Sequence, residues 1–119
     1  MAYKFAAEEL EPHASEWDRT HHFPIDKFKE AAELGFGGIY VSEKNGGTGL
    51  GRLEASLIFE ALSTGCVPSS AYISIHNMCA WMIDQNGTQE QIDKYLPDML
   101  TMDRLSSYCL TEPDSGSDA

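Results

Sequence analysis

Apolar residues recur along most of this chain three or four positions apart, the spacing of one helix face. From Tyr3 to Trp17, Phe5, Leu10, Ala14 and Trp17 fall near one face, and Pro12 inside the run predicts a kink or interruption. "FPIDKFKEAAELGFGG" predicts a second helix. Pro24 suits its first turn, Ile25, Phe28, Ala31, Ala32 and Leu34 supply its apolar face, and Gly35 suits its C-terminal stop. "SEKNGGTGLGR" predicts a loop, because Asn45 and the glycines punctuate it.

A wide apolar stripe of Leu53, Leu57, Ile58, Ala61 and Leu62 predicts a third helix in "RLEASLIFEALSTG". "PSSAYISIHNMCAWMIDQNG" predicts a fourth, opened by Pro68 with Ser69 and Ser70 close by. It is apolar on most sides (Ala71, Tyr72, Ile73, Ile75, Met78, Cys79, Ala80, Trp81, Met82 and Ile83), the pattern of a central, buried helix. Its β-branched residues leave a strand as the alternative, and its length favours the helix. In "TQEQIDKYLPDMLT", Thr88 and Gln91 have the spacing of a capping box, and Pro97 is expected to break or restart the helix. "LSSYCLT" then reads as a short strand leading into a terminal loop. The pattern is all-α: five or six helices, then the first strand of something else. A lone strand has no partner for its backbone donors and acceptors, so a larger protein is expected to continue from it.

Charge narrows the partners. Eight basic residues against nineteen acidic ones give the 119-residue chain a net charge of −11. That balance repels nucleic acid and disfavours an anionic membrane surface. No apolar run approaches the length of about eighteen residues that spans a bilayer. A phosphate-bearing cofactor remains possible through backbone amides rather than a basic patch. Cys66, Cys79 and Cys109 are odd in number and widely spaced, as expected in a reducing compartment. "MAYKFAAEEL" has neither the apolar core of a secretory signal nor the arginine-rich, acid-poor character of a transit peptide.

Candidate chemistry concentrates at the end of the chain. Glu112-Pro113-Asp114-Ser115-Gly116 predicts a tight turn: proline presets φ, Asp114 and Ser115 can bond the local backbone, and Gly116 can take a positive φ. Such a turn gathers amides and the hydroxyls of Thr111, Ser115 and Ser117 on one side, an array that suits planar polar heterocycles and phosphates. On composition alone an ordinary acidic turn is the simpler account. Elsewhere the plain accounts prevail. His76 and Cys79 have a metal-ligand spacing but no further ligand nearby, so a hydrogen-bonded core histidine and a buried thiol are expected. His13, His21 and His22 read as a solvated connection between helices. Tyr72, Met78, Trp81 and Met82 suit an acyl pocket and, more simply, a bundle core. Gly46-Gly47-Thr48-Gly49 lacks the ending of a phosphate loop. Glu8, Glu9 and Glu11 read as a solvated helix face.

The ordered string "YCLTEPDSGSDA" resembles the signature of the acyl-CoA dehydrogenase family: a hydrophobic residue, Ser or Thr, Glu, a short turn, then Gly-Ser-Asp. "ELGFGGIYVSEKNGGTGL", "IFEALSTGC" and "AYISIHNMCAWMI" resemble the amino-terminal helical domain of that family, and the likeness runs over nearly the whole chain. The resemblance implies an amino-terminal helical bundle domain at 1–105 and the truncated start of a middle β domain, with a flavin-binding motif, at 106–119. It implies FAD as cofactor, an acyl-CoA substrate (a short branched one on overall likeness), electron-transfer flavoprotein as electron acceptor, a homotetramer and the mitochondrial matrix. It places Tyr108, Cys109, Leu110, Thr111, Glu112, Pro113, Asp114, Ser115, Gly116 and Ser117 in the flavin-contacting segment, with Leu110 and Thr111 along the isoalloxazine edge and Ser117 also facing the acyl-CoA. Many members have glycine at the position of Asp114, and a carboxylate there is electrostatically unhelpful beside a pyrophosphate. Glu112 is expected to anchor the turn by accepting backbone bonds, not to act as the base, because the family's catalytic glutamate lies late in the chain. Residues 1–119 alone are therefore expected neither to retain FAD nor to turn over substrate. An acyl-CoA oxidase, or a non-catalytic helical module that binds acyl-CoA or a partner, are the alternatives.

Overall fold

The computed structural model describes residues 1–118, and every regular element among them is helical. Helices α1 (Ala2–Phe5) and α2 (Glu11–Thr20) are joined without a break by a π-helical turn over Ala6–Leu10. The α-helical pattern is thus interrupted just before Pro12, as expected, but the helical run does not end there. The proline ring would crowd the carbonyl of Glu8, four residues back, and the wider π turn that contains Glu8 makes room for it.

Helix α3 (Ile25–Glu33) follows Pro24 and stops where Gly35 predicts. Gly35 sits at φ +87°, donates to the Ala32 carbonyl at 2.8 Å, and lets Phe36 donate to the Ala31 carbonyl at 3.0 Å, the paired bonds of a Schellman stop. After a loop come α4 (Arg52–Ser63), α5 (Val67–Asn86) and α6 (Gln89–Leu100). Both halves of the capping box form: Gln91 N–H donates to Thr88 Oγ1 at 3.3 Å and Thr88 N–H donates to Gln91 Oε1 at 2.8 Å. Pro97, expected to break the last helix, lies inside α6. It deprives only the Asp93 carbonyl of a donor, and both residues are exposed, so water can take that bond.

Helix α5 packs against both α4 and α6. On one side of it Leu10, Phe28, Phe36, Ile39, Leu62, Ile73 and Met102 form the larger core; Val41, Ala80, Ile92, Leu96 and Met99 form the smaller one. The burial of α5 differs from its apolar pattern. Its inward residues include Ser69, Ser70, His76, Asn77 and Asp84, while Ala71 and Met82 are exposed. Two of these inward polar groups, Asn77 and Asp84, hold the loop after α3. Asn77 takes the Ile39 N–H at 2.6 Å and donates to the Phe36 carbonyl at 2.8 Å. Two helical turns on, Asp84 accepts from the Ser42 hydroxyl at 2.6 Å and the Asn45 amide at 2.7 Å. Helix α4 also departs from its pattern: Ala55, Ala61 and Leu62 are buried, but Leu53 and Leu57 are exposed.

The strand expected in "LSSYCLT" is absent among the described residues, where the only pairing is an isolated bridge between Glu112 and Ser115. An extended segment becomes a strand only beside another, and none lies next to it.

Candidate functional site

The terminal segment is fastened at its root. His76, fully buried on α5, reaches the Met99 carbonyl with Nε2 at 2.8 Å. Its Nδ1 receives the Ser106 N–H at 3.2 Å and lies 3.0 Å from the Ser106 hydroxyl. A carbonyl can only accept and an amide N–H can only donate, so the two contacts demand the same neutral tautomer, with the proton on Nε2. Burial pushes the imidazole pKa down from its ordinary 6.5, against a smaller upward pull from the Met99 carbonyl. The expectation of a hydrogen-bonded core histidine holds for His76, and Cys79 is the buried free thiol expected beside it.

Beyond Ser106, half-buried Tyr108 packs against the smaller core. Cys109, Leu110, Thr111, Glu112, Pro113, Asp114, Gly116 and Ser117 are exposed, and Ser115 is half-buried. The turn forms at the predicted place, closed by Glu112 N–H to the Ser115 carbonyl at 2.8 Å and Ser115 N–H to the Glu112 carbonyl at 3.2 Å. It is the backbone of Glu112 that closes it; its carboxylate accepts no bond among the described residues, contrary to the anchoring role expected of it. Gly116 does not take a positive φ, and a Cβ placed there would meet only Thr111 Cγ2, at 3.8 Å. Ser115 Oγ donates to the Asp118 carbonyl, the local backbone bond expected of it.

These features leave a defined set of unused groups. From Tyr108 to Asp118, only the N–H groups of Glu112 and Ser115 find acceptors among the described residues, and the hydroxyls of Thr111 and Ser117 find no partner. Leu110 and Thr111 thus present an open backbone edge without regular structure just before a closed turn. A planar heterocycle with alternating donors and acceptors fits such an edge, and at Gly116, which has no side chain, only the Thr111 methyl stands close by. Glu112, Asp114 and Asp118 join none of the described ion pairs. An uncharged ring suits this surface better than a phosphate would.

The other candidates lie elsewhere. The N–H groups of Thr48, Gly49 and Leu50 donate to the carbonyls of Gly38, Val41 and Ile39, so the glycine loop holds its own fold. Tyr72 packs at 4.8 Å from Phe23 and 4.9 Å from Phe28, as core. Trp81 instead covers the Arg52 guanidinium, with Tyr40 nearest it at 3.9 Å, and Met82 faces solvent. His13 and His22 flank the Trp17 ring at 5.5 and 6.2 Å. Glu9 is not simply solvated: it pairs with Lys27 at 2.5 Å, tying the π turn to α3. A cleft of about 630 Å³ opens beside Trp17, Phe23 and Cys66, and no residue of the terminal segment lines it. Sequence reasoning missed the grip of His76 on Ser106, because no local pattern pairs residues thirty positions apart.

Comparison with known proteins bears on what such a segment serves. Residues 1–103 match the family model for the acyl-CoA dehydrogenase N-terminal domain. The whole chain is 58% identical over 119 residues to mitochondrial isobutyryl-CoA dehydrogenase of Dictyostelium discoideum. It is 56% identical to the same enzyme of Bos taurus. It spans 29% of the length of each. Among solved structures, the FAD complex of PigA superposes with a TM-score of 0.89 at 33% identity, over 98% of this chain and 31% of that one.

Proposed function

The chain belongs to the acyl-CoA dehydrogenase family, and from that premise we propose that it is the amino-terminal part of an FAD-dependent dehydrogenase acting on a short branched acyl-CoA, isobutyryl-CoA in valine catabolism. Residues 1–105 are the helical domain and 106–119 open the middle β domain. The observation that carries the reading is the unpaired Leu110–Thr111 edge ahead of the Glu112–Ser115 turn, in the order of the family signature.

In this reading the segment from Tyr108 to Ser117 forms one wall of the flavin site. FAD, when bound, supplies the acceptor for the hydride that leaves the β-carbon of the acyl group. The chain's own residues bind and orient. Leu110 and Thr111 offer backbone amides, and Thr111 a hydroxyl, to the rim of the isoalloxazine ring. Ser117 also faces the acyl-CoA. The turn keeps Thr111 and Ser117 on neighbouring sides of one short loop. Glu112 is not the base; that carboxylate comes from later in the parent protein, as do the other walls of the site. The 119-residue chain by itself neither retains FAD nor oxidises substrate. Electrons pass to electron-transfer flavoprotein, and the parent is a homotetramer of the mitochondrial matrix; the names of both relatives carry the word mitochondrial.

The test is the full-length parent, assayed with isobutyryl-CoA and a straight-chain acyl-CoA, with electron-transfer flavoprotein and then oxygen as acceptor. Enoyl-CoA formation with the flavoprotein, and preference for the branched substrate, support the reading. Turnover that consumes oxygen instead makes it an acyl-CoA oxidase. Acyl-CoA binding with no flavin and no turnover makes it a non-catalytic binding module.

A further inference from the structure

We propose that His76 is a positioning residue for the terminal segment: its Nδ1 fixes Ser106, and so sets where the chain from Tyr108 to Ser117 leaves the helical layer. The consequence for FAD rests on the flavin reading given above; the anchoring itself does not.

The geometry has three parts. First, the ring cannot turn. It is fully buried, Nε2–H is held by Met99 at the end of α6, and Tyr72 lies beside it with ring centroids 6.4 Å apart. Second, the remaining nitrogen is aimed at a single residue, Ser106, whose N–H and hydroxyl both lie within hydrogen-bond reach. Third, among the described residues the backbone beyond Ser106 makes no bond to the helical layer: up to Ser117 its only backbone bonds are the two that close the Glu112–Ser115 turn upon itself. Tyr108 adds an apolar contact to the smaller core but no hydrogen bond. Among the described residues Ser106 is thus the last point at which the segment is hydrogen-bonded to the helices, held by His76 with the Tyr72 hydroxyl beside it.

The distance from that tie to the unused edge gives it leverage. Thr111 lies five positions beyond Ser106, and an extended stretch of five residues spans about 17 Å. A loosened root lets Thr111 wander over a region far wider than the few tenths of an ångström that a hydrogen bond to a ring tolerates. Holding the root reduces the ordering that ligand binding must impose.

Two isosteric substitutions separate the anchor from mere packing. In His76→Asn the side-chain oxygen takes the place of Nδ1 and can still accept from Ser106, while the bond to Met99 is lost. In His76→Gln the amide nitrogen takes the place of Nε2 and keeps Met99, while the acceptor for Ser106 is lost. Both remove the imidazole. In the full-length protein, hydrogen exchange at the Ser106 amide of the apo form and titration with FAD are the readouts. Expected are retained Ser106 protection and an FAD Kd within about threefold of the parent for His76→Asn. His76→Gln is expected to lose the protection and to bind FAD about tenfold more weakly. Equal Ser106 protection in the two variants overturns the proposal. Lost protection in His76→Gln with unchanged FAD affinity supports the anchor and overturns instead the assignment of the segment to flavin. Should either variant fail to fold, 15N shifts of His76 in the unaltered protein decide: a non-protonated Nδ1 hydrogen-bonded to the Ser106 N–H supports the anchor, and a protonated Nδ1 overturns it.

Discussion

Asn77 on α5 takes the Ile39 N–H at 2.6 Å, so a helix side chain supplies the acceptor that a neighbouring strand would otherwise provide. The same amide donates to the Phe36 carbonyl at 2.8 Å and to the Ile73 carbonyl at 2.9 Å. Phe36 and Ile39 belong to the larger core, and their connecting backbone is buried without regular structure. Asn77 is what makes that burial tolerable.

Asn77→Leu is therefore expected to destabilise the chain by about 2–5 kcal/mol, because it leaves a buried N–H and a buried carbonyl without partners. Urea denaturation measures it. Asn86→Ala is the comparison: that side chain is exposed and bonds only the Met82 carbonyl of its own helix, so a change within about 0.5 kcal/mol is expected.

Stability should fall on the acid side in two separate windows. An unfolded histidine takes up its proton near pH 6.5, whereas burial holds the folded His76 below that value. Below pH 6.5 the unfolded chain binds the extra proton, so the stability this residue contributes is complete above 6.5 and drains away as pH falls toward its lowered folded value. Asp84 acts further down. Burial pushes its carboxyl up, but hydrogen bonds from the Ser42 hydroxyl, the Asn45 and Gln85 amides and the Ser42 N–H together outweigh this and hold it below 3.8. Its contribution is complete above that pH and is lost as pH falls through the folded value. Denaturation midpoints between pH 8 and 5 should decline in the natural chain, and this slope should flatten in His76→Asn. An unchanged slope in that variant would show that His76 is not its source.

What was legible in the sequence was local. The Thr88–Gln91 box, the Gly35 stop and the Glu112–Ser115 turn each arise from residues within a few positions of one another, and each forms. Pro12 showed as a π turn in the helix, as expected, whereas Pro97 misled because a helix can accommodate a proline whose orphaned carbonyl lies toward water. The inward polar residues of α5 were unreadable for a different reason. Ser42, Ile39 and Ser106, which give Asp84, Asn77 and His76 their purpose, are distant in sequence. Of the terminal site, the turn was legible and its tether was not.

Leu53 and Leu57 test the part of the α4 stripe that faces solvent. At 71% and 57% exposure they contribute little to this domain's core. Leu53→Ser and Leu57→Ser should each change thermal stability of the chain by no more than about 0.5 kcal/mol. Leu62→Ala, on the buried side of the same helix, should cost about 2–5 kcal/mol. Equal losses for all three would mean that α4 is rotated from the orientation described.

Two glycines separate folding from the proposed flavin contact. A Cβ at Gly37 would sit 2.1 Å from the Leu100 carbonyl oxygen, where the end of α6 presses on the loop after α3. Neither backbone can yield cheaply, so Gly37→Ala should destabilise the chain by about 1–3 kcal/mol or more. Gly116→Ala meets only Thr111 Cγ2 at 3.8 Å and has no positive φ to oppose it. Its effect on chain stability should stay within about 0.5 kcal/mol. The methyl nonetheless enters the space beside Thr111 through which a planar ring would approach the backbone. In the full-length parent, Gly116→Ala should therefore weaken FAD binding, read as flavin lost on gel filtration, while leaving the melting temperature of the apo protein unchanged. Full flavin retention in that variant would place the ring against some other face of the segment.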